Sequence, residues 1–347
     1  MIDAESPIRA PEEFIGQAGL VRRIFSRIGA ERPQSVAVIG GKKSGKTSLL
    51  AYLAHPSVRE KLLEGSERCT VCLVPSGSEM SLSPEAFLAG VRALLAPTAQ
   101  AGANAGANAG ANAGANAGAN GYDALRASID GLHASGRRLI MLMDDFHLIT
   151  SNHAFPLEFF SFLRSMANNY NLAYVTTSFL ELQKLCAIKD VQESPFFNIF
   201  TNLSLGMLTQ EEGSILFARL TGWSAEQSQA VVAWCGSSPY LIKRAAARLL
   251  RGKEAAALDD AQREQILQPE LSPYFQEVVA LLESGAARPL QAIARGKDAD
   301  PSEEHYLSPL VKQGFLAEKG GEVQCFSPAF CAFLRAEFSP RMLKGRG

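Results

Sequence analysis

"SVAVIGGKKSGKTSLLAYLA", residues 35–54, reads as a short β-run, a loop of glycine and lysine, and a helix. The loop fits G-x-x-x-x-G-K-[ST], and it stands between a strand and a helix, the context in which that pattern has a mechanism. Gly40 and Gly45 let the backbone curl so that its N–H groups face one anion. The helix beginning near Lys46 adds the positive end of its dipole.

A second stretch has the complementary problem. "RRLIMLMDDFHLI", residues 137–149, runs from apolar residues straight into Asp144 and Asp145. An unpaired buried carboxylate costs several kcal/mol, so the pair needs a positive charge nearby. The loop and its ligand supply one. Gly40, Gly41, Lys42, Lys43, Ser44, Gly45, Lys46, Thr47 and Ser48 are expected to surround the phosphates of a nucleotide. Within that set Lys46 reaches the β- and γ-phosphates and the Thr47 hydroxyl ligates Mg²⁺. Asp144, at the tip of a neighbouring strand, accepts Mg²⁺ or its water. Asp145 points to the other side and polarises the water that attacks the γ-phosphate; its plainer reading is a cap for the next helix. Thr176, Thr177 and Ser178 end the run "LAYVTTS". Ligands of parallel sheets sit beyond the carboxyl ends of strands, and Thr177 is the hydroxyl expected to meet the γ-phosphate or the water, although all three are ordinary strand formers.

The pattern around these stretches is α/β. A helical segment (13–29) precedes the loop strand. After it come β-runs at 69–76, in the opening half of 137–149, at "LAYVTTS" and at "NLSLG", separated by helical stretches near 83–96, 121–134 and through "PLEFFSFLRSMANN". Strands alternating with helices imply a parallel sheet covered on both faces. Phe155, Phe159, Phe160 and Phe162 have spacings of a helix packed on that sheet, which makes them core. His147 and His153 read as loop histidines. From Leu208 three helical segments follow, the first capped by Thr209 with Glu212 in capping-box spacing. A charged linker (252–265) leads to a helix (272–283), two short helices around 289–314, a hairpin and a closing helix, the outline of a winged helix. The expected units are a P-loop core at 1–207, a helical lid at 208–253 and an α+β winged-helix domain at 266–347.

Five copies of AGAN fill Ala101 to Asn120. Nothing there is larger than Asn, so no side chain anchors a core, and the segment reads as a flexible surface insertion spanning about 25 Å by √n scaling. The chain has 347 residues, a net charge of −1 and 47% hydrophobic residues, enough for real cores without a global basic field. The acidic, polar N-terminus and the absence of an 18-residue apolar run point to a soluble, cytoplasmic protein with no membrane partner. Six cysteines in this length do not suggest a disulfide scaffold. Cys69 and Cys72 form C-x-x-C on a β-like segment, where they face opposite ways as strand core.

These motifs resemble a family. "EFIGQAGLVRRIF", "GGKKSGKTSLL", "LIMLMDDF", "YVTTS", "SPFFNIFTNLSLGMLTQEEG" and "CGSSPYLIKRAA" fall in the order seen in STAND-type ATPases and the related prokaryotic AAA+ ATPases. The resemblance covers most of residues 13–250 and implies an ATP/ADP-controlled switch that opens and often oligomerises with ATP. It implicates Ile15 and Gly16 near the adenine, and Pro239 of "GSSPY" near the nucleotide. Two family arginines are missing: Gln17 follows "FIG", and "TTSFLEL" carries none after its strand. Such cations are worth about 10³–10⁵ in rate, so slow basal hydrolysis is expected, with Arg164, Arg219 and Arg244 as candidates to compensate. No effector domain precedes the core and no sensor repeats follow it, so a separately encoded protein partner is expected.

The rival reading is an initiator-like ATPase whose winged helix binds DNA. Residues 271–347 hold nine Lys/Arg and nine Asp/Glu, and the expected recognition helix, "PSEEHYLSPLVKQG", opens with Glu303 and Glu304. Phosphates repel that surface, which disfavours DNA. A further alternative is a nucleotide-binding scaffold without turnover.

Overall fold

The runs at 35–39, 138–143 and 172–178 bury both of their faces, which places them inside one sheet. The computed structural model describes residues 2–103, 120–252, 258–300, 302–319 and 322–343. It divides the chain into two compact units: Pro7–Gly40 with Lys46–Leu205, here the sheet unit, and Met1–Ser6, Gly41–Gly45 and Gly206–Gly347, here the helical unit.

The sheet unit runs α1 (Ala18–Ile28), β1 (Ser35–Ile39), α2 (Lys46–Ala54), α3 (Pro56–Leu62), β2 (Cys69–Val74), α4 (Pro84–Ala103), α5 (Gly121–Ala134), β3 (Arg138–Met143), α6 (His147–Thr150), α7 (Leu157–Asn169), β4 (Leu172–Ser178), α8 (Lys189–Gln192) and β5 (Phe200–Ser204). The strands lie in the order β2-β3-β4-β1-β5, and all pairings are parallel. Alternation along each strand feeds two cores. Ala37, Cys72, Met141 and Tyr174 join Phe87, Phe159 and Phe160 on one face. Val36, Val38, Cys69, Ile140 and Val175 join Ile24, Leu49 and Leu50 on the other. Cys69 and Cys72 therefore face opposite ways, as a strand dictates. Phe155, Phe159, Phe160 and Phe162 are all core.

One expectation about the sheet needs correction. The strand carrying Asp144 is not beside β1: β4 lies between β1 and β3, pairing Val38 with Thr177 and Met143 with Thr176. Adjacency in sequence motifs does not fix strand order; the crossovers do.

Both ends of the AGAN repeat are built into helices. α4 runs on through Ala103. Asn120 caps α5, its side chain accepting from the Tyr122 N–H at 2.7 Å. The remainder of the repeat, expected to be a flexible insertion, lies outside the described residues. Helix α1 begins five residues later than its apolar spacing suggests, because Gly16 (φ 78°) and Gln17 (φ 59°) are both left-handed.

The helical unit runs α9 (Gln210–Thr221), α10 (Ala225–Cys235), α11 (Pro239–Gly252), α12 (Asp260–Val279), α13 (Ala287–Ala294), α14 (Ser308–Gln313), β6 (Leu316–Lys319), β7 (Glu322–Cys325) and α15 (Pro328–Ala336). Thr209 and Glu212 close the expected capping box on α9, and Ser224 with Gln227 repeats it on α10. Helix α12 starts twelve residues before the expected 272, inside the expected linker. Asp259 and Gln262 box its start, and Leu267, Leu271, Tyr274, Phe275 and Val278 bury one face. That burial outweighs two missing backbone N–H groups, at Pro269 and Pro273 inside the helix. Helix α14 is only six residues long; Glu303 precedes it and pairs with Arg288 at 3.3 Å. No described helix is long and apolar enough to cross a membrane.

Candidate functional site

In the sheet unit the carboxyl ends of β1, β4 and β3 gather the acidic pair and the start of α2. The Gly40 N–H donates to the Ser178 carbonyl at 3.0 Å, continuing the β1–β4 pairing into the loop. Lys46, the first residue of α2, is only 9% exposed, and its ammonium donates to the Gly40 carbonyl at 3.1 Å. Burial pulls the Lys46 pKa below its ordinary value, while Asp145 and then Asp144 pull it back up.

Thr47 and Asp144 meet directly. The Thr47 hydroxyl donates to Asp144 Oδ2 at 2.7 Å. The other carboxylate oxygen, Oδ1, accepts from the Thr177 hydroxyl at 2.6 Å. Asp144 is 7% exposed, so these hydroxyls and the ammonium are its replacement for water. A carboxylate beside a hydroxyl is the pair of hard oxygen donors that a small divalent cation takes. Among the described residues no three His, Cys, Asp or Glu side chains form a metal cluster.

Asp145 has a different environment. It sits past the end of β3 in the left-handed region, with φ 46°. Aspartate tolerates that conformation at a cost, and such strain persists where surrounding contacts impose it. Its N–H donates to Thr177 Oγ1 at 2.8 Å, and its Oδ2 accepts from the Ser76 hydroxyl at 2.7 Å. His147 Nδ1 lies 3.8 Å from Oδ1. Burial holds the His147 imidazole below its ordinary pKa, against the pull of Asp145.

Thr177 is fully buried and bridges the two aspartates. Its hydroxyl hydrogen is thus turned to Asp144. Thr176 turns to the Val36 carbonyl at 3.5 Å and Ser178 to the Leu180 carbonyl at 2.5 Å. The Ser48 hydroxyl accepts from the Ile8 N–H at 3.2 Å. Ile15 is partly buried beside Gly16, and the preceding Phe14 stacks on Tyr52 of α2, with ring centroids 4.5 Å apart.

The middle of the loop, Gly41–Gly45, belongs by its contacts to the helical unit. Lys43 (φ 59°) and Gly45 (φ 96°) are left-handed, and the Ser44 N–H closes a turn on the Gly41 carbonyl at 3.2 Å. The Ser44 hydroxyl is buried without a hydrogen-bond partner. Lys43 donates to Tyr240 OH at 3.0 Å and Glu5 at 3.3 Å, and its ammonium lies 4.2 Å from the Tyr240 ring centroid. Burial lowers the Lys43 pKa, but the Tyr240 hydrogen bond and the carboxylates more than reverse this and leave it raised. Lys42 pairs with Glu277 at 2.9 Å, and Tyr274 OH donates to the Lys42 carbonyl at 2.7 Å. Pro239 opens α11 and sets Tyr240 in place beside Lys43. Of the arginines expected to compensate, Arg244 pairs with Glu270, and Arg164 lies on α7 beside the first residues of β1 and β5, at the other end of the strands from the acidic pair.

The sequence pattern did not single out Ser76, Glu5, Tyr240, Tyr274 or Glu277. Ser76 lies two residues past the end of β2, beside the strand that carries the acidic pair, a neighbourhood that only the strand order reveals.

A family model described as Novel STAND NTPase 2 matches residues 30–292, well over half of the chain. Among solved structures, a Walker-type ATPase of Pyrococcus abyssi is similar at a TM-score of 0.61 and 13% identity, covering 95% of this chain and 99% of its own. The ORC2 protein of Aeropyrum pernix in its ADPNP–ADP complexes is similar at 0.58 and 14% identity, covering 96% and 95%. At these identities the likeness establishes the fold. No curated protein sequence matches the chain. The strand–loop–helix of residues 35–54, the five-stranded parallel sheet and the match across residues 30–292 place this chain in the novel STAND NTPase 2 family, on a P-loop NTPase fold.

Proposed function

We propose that this protein is an ATP-binding, slowly hydrolysing switch that controls or assembles with a partner protein. The observation carrying the nucleotide reading is the 2.7 Å hydrogen bond from Thr47 to Asp144, beside the buried Lys46. The two oxygens fit Mg²⁺, and Lys46 fits the β- and γ-phosphates. The orphaned, buried Ser44 hydroxyl in a loop with two left-handed residues is consistent with an anion as the loop's missing partner. Bound Mg²⁺ would neutralise charge on the phosphate oxygens. Asp145 orients and polarises the attacking water once released from Ser76, and Thr177 positions both aspartates. Ile15 and Gly16 flank the adenine, and Pro239 couples α11 to nucleotide state.

The Lys42, Lys43, Tyr240, Tyr274, Glu5 and Glu277 cluster supports the switch. Two loop lysines are already neutralised by carboxylates, so nucleotide phosphates compete with contacts that hold α11 and α12. We read α13, α14, the β6–β7 hairpin and α15 as a winged helix, used for protein contact. Its Arg288–Glu303 pair and balanced charge weigh against a basic surface for DNA. Slow turnover is the expectation from the absent family arginines.

Nucleotide response and assembly are tested together by size-exclusion chromatography with light scattering, in ADP and in a nonhydrolysable ATP analogue. A change of mass or elution volume between the two supports the switch. Identical profiles, with both nucleotides shown to be bound, contradict it. Phosphate release at saturating Mg·ATP separates the switch from a scaffold without turnover.

A further inference from the structure

Arg164 lies on α7 at the opposite end of the sheet from the acidic pair, near the first residues of β1 and β5. Two clefts, of about 270 Å³ and 420 Å³, share its side chain and that of Asn168. The smaller is bounded by Ser161, Ser165 and Ser194, the larger by Gln34, Asn198 and Thr201. Among the described residues, Arg164 is the one charged side chain in either lining.

The guanidinium is incompletely satisfied. It is partly buried, its Nε is buried without a hydrogen-bond partner, and no described carboxylate pairs with it. A buried donor on a cation that lacks an acceptor is costly, and arginine on an ordinary surface turns its fork to water or to a neighbouring acid. Here neutral amides and hydroxyls flank it on both sides.

We infer that the paired clefts around Arg164 bind one aspartate or glutamate side chain of a partner polypeptide. A planar fork matches a carboxylate in two hydrogen bonds. One cation in a neutral lining balances one negative charge; a phosphate dianion would leave a charge uncompensated, and a nucleic acid needs a track of cations that is absent here. The neutral clefts on either side accept the flanking polar backbone of the peptide. The inference stands apart from nucleotide binding, because the site occupies the other ends of the strands.

The test uses the full-length, isotope-labelled protein and follows the Arg164 Nε–Hε resonance by NMR, assigned through its loss in Arg164→Lys. The probes are the blocked peptide Gly-Ser-Glu-Ser-Gly, its Gln counterpart and inorganic phosphate. The Glu peptide is expected to shift the resonance saturably and at least tenfold more tightly than the Gln peptide. Asn168→Asp places a carboxylate one helical turn from Arg164 and is expected to weaken the Glu peptide at least tenfold while thermal unfolding is retained. The inference is overturned by equal binding of the Glu and Gln peptides, by tighter saturation with phosphate, by no shift with any probe, or by undiminished binding in a folded Asn168→Asp protein.

Discussion

The Ser76 hydroxyl donates to Asp145 Oδ2 at 2.7 Å, so the carboxylate assigned to the attacking water is already engaged. Asp145 is pinned on its other side by its own N–H on Thr177. Ser76→Ala removes the competing donor and leaves Asp145 facing solvent. Hydrogen bonds to charged groups contribute about 1.5–3 kcal/mol, part of which is regained from water, so steady-state phosphate release should rise about three- to tenfold. A fall in rate at unchanged ATP affinity would show that Ser76 aids the reaction instead.

The two aspartates should separate in kinetics. Asp144→Asn removes the charge beside Thr47 and should abolish the Mg²⁺ dependence of ATP affinity. Asp145→Asn should bind Mg·ATP within about threefold of the original protein and lose at least 10²-fold in turnover. Fluorescent-nucleotide titrations with and without EDTA, paired with phosphate-release assays, distinguish the outcomes. Loss of Mg²⁺ dependence in Asp145→Asn alone would reverse the assignment.

Thr177→Val keeps the side-chain shape and deletes the bridge. Asp144 Oδ1 and the Asp145 N–H both lose their partner in a fully buried position. Each unmet group costs about 1–3 kcal/mol, so the urea midpoint should fall by an amount equivalent to about 2 kcal/mol or more at an unchanged slope. A destabilisation below about 0.5 kcal/mol would mean that neither group depends on the hydroxyl.

Contacts on the loop lysines should oppose nucleotide. Glu277→Gln removes a half-exposed partner of Lys42, and Tyr274→Phe removes the hydroxyl on the Lys42 carbonyl. An exposed ion pair is worth about 0.2–1 kcal/mol and a neutral hydrogen bond about 0.5–1.5 kcal/mol. The double variant is expected to bind ATP about three- to tenfold more tightly in calorimetric titration. Weaker binding would mean that these groups hold the loop in its nucleotide-ready form.

Gly236 ends α10 at φ 93°, and a Cβ there would fall 2.0 Å from the Phe326 ring. Gly236→Ala combines overpacking with an unfavourable backbone region, about 1–3 kcal/mol in total, read as a lower melting temperature. Adding Phe326→Ala should relieve the clash but not the backbone term.

Much of this architecture was legible in residues 35–54 and 137–149, because a phosphate loop needs specific glycines, a lysine and a flanking strand and helix. Period-2 alternation separated Cys69 from Cys72, and S/T-x-x-E/Q spacing marked the start of α9. The order of strands was not legible, since β3 and β4 offer similar apolar runs to any neighbour. Helix α12 starts inside the expected linker because a charged stretch reads as solvated chain, whereas the Asp259–Gln262 capping box and the burial of Leu267 and Leu271 make it helix. Ser76 and Glu277 were missed for a different reason. Their roles come from long-range partners, Asp145 and Lys42, and a single exposed polar residue in a sequence carries no mark of what it will meet.

Nucleotide binding at the loop whose lysine is Lys46 underlies every role proposed above for the loop and the acidic pair. Isothermal titration of Mg·ATP into the full-length protein and into a folded Lys46→Ala variant tests it directly. One saturable site in the original protein and no measurable heat in the variant is the predicted result; equal affinity in both would contradict it.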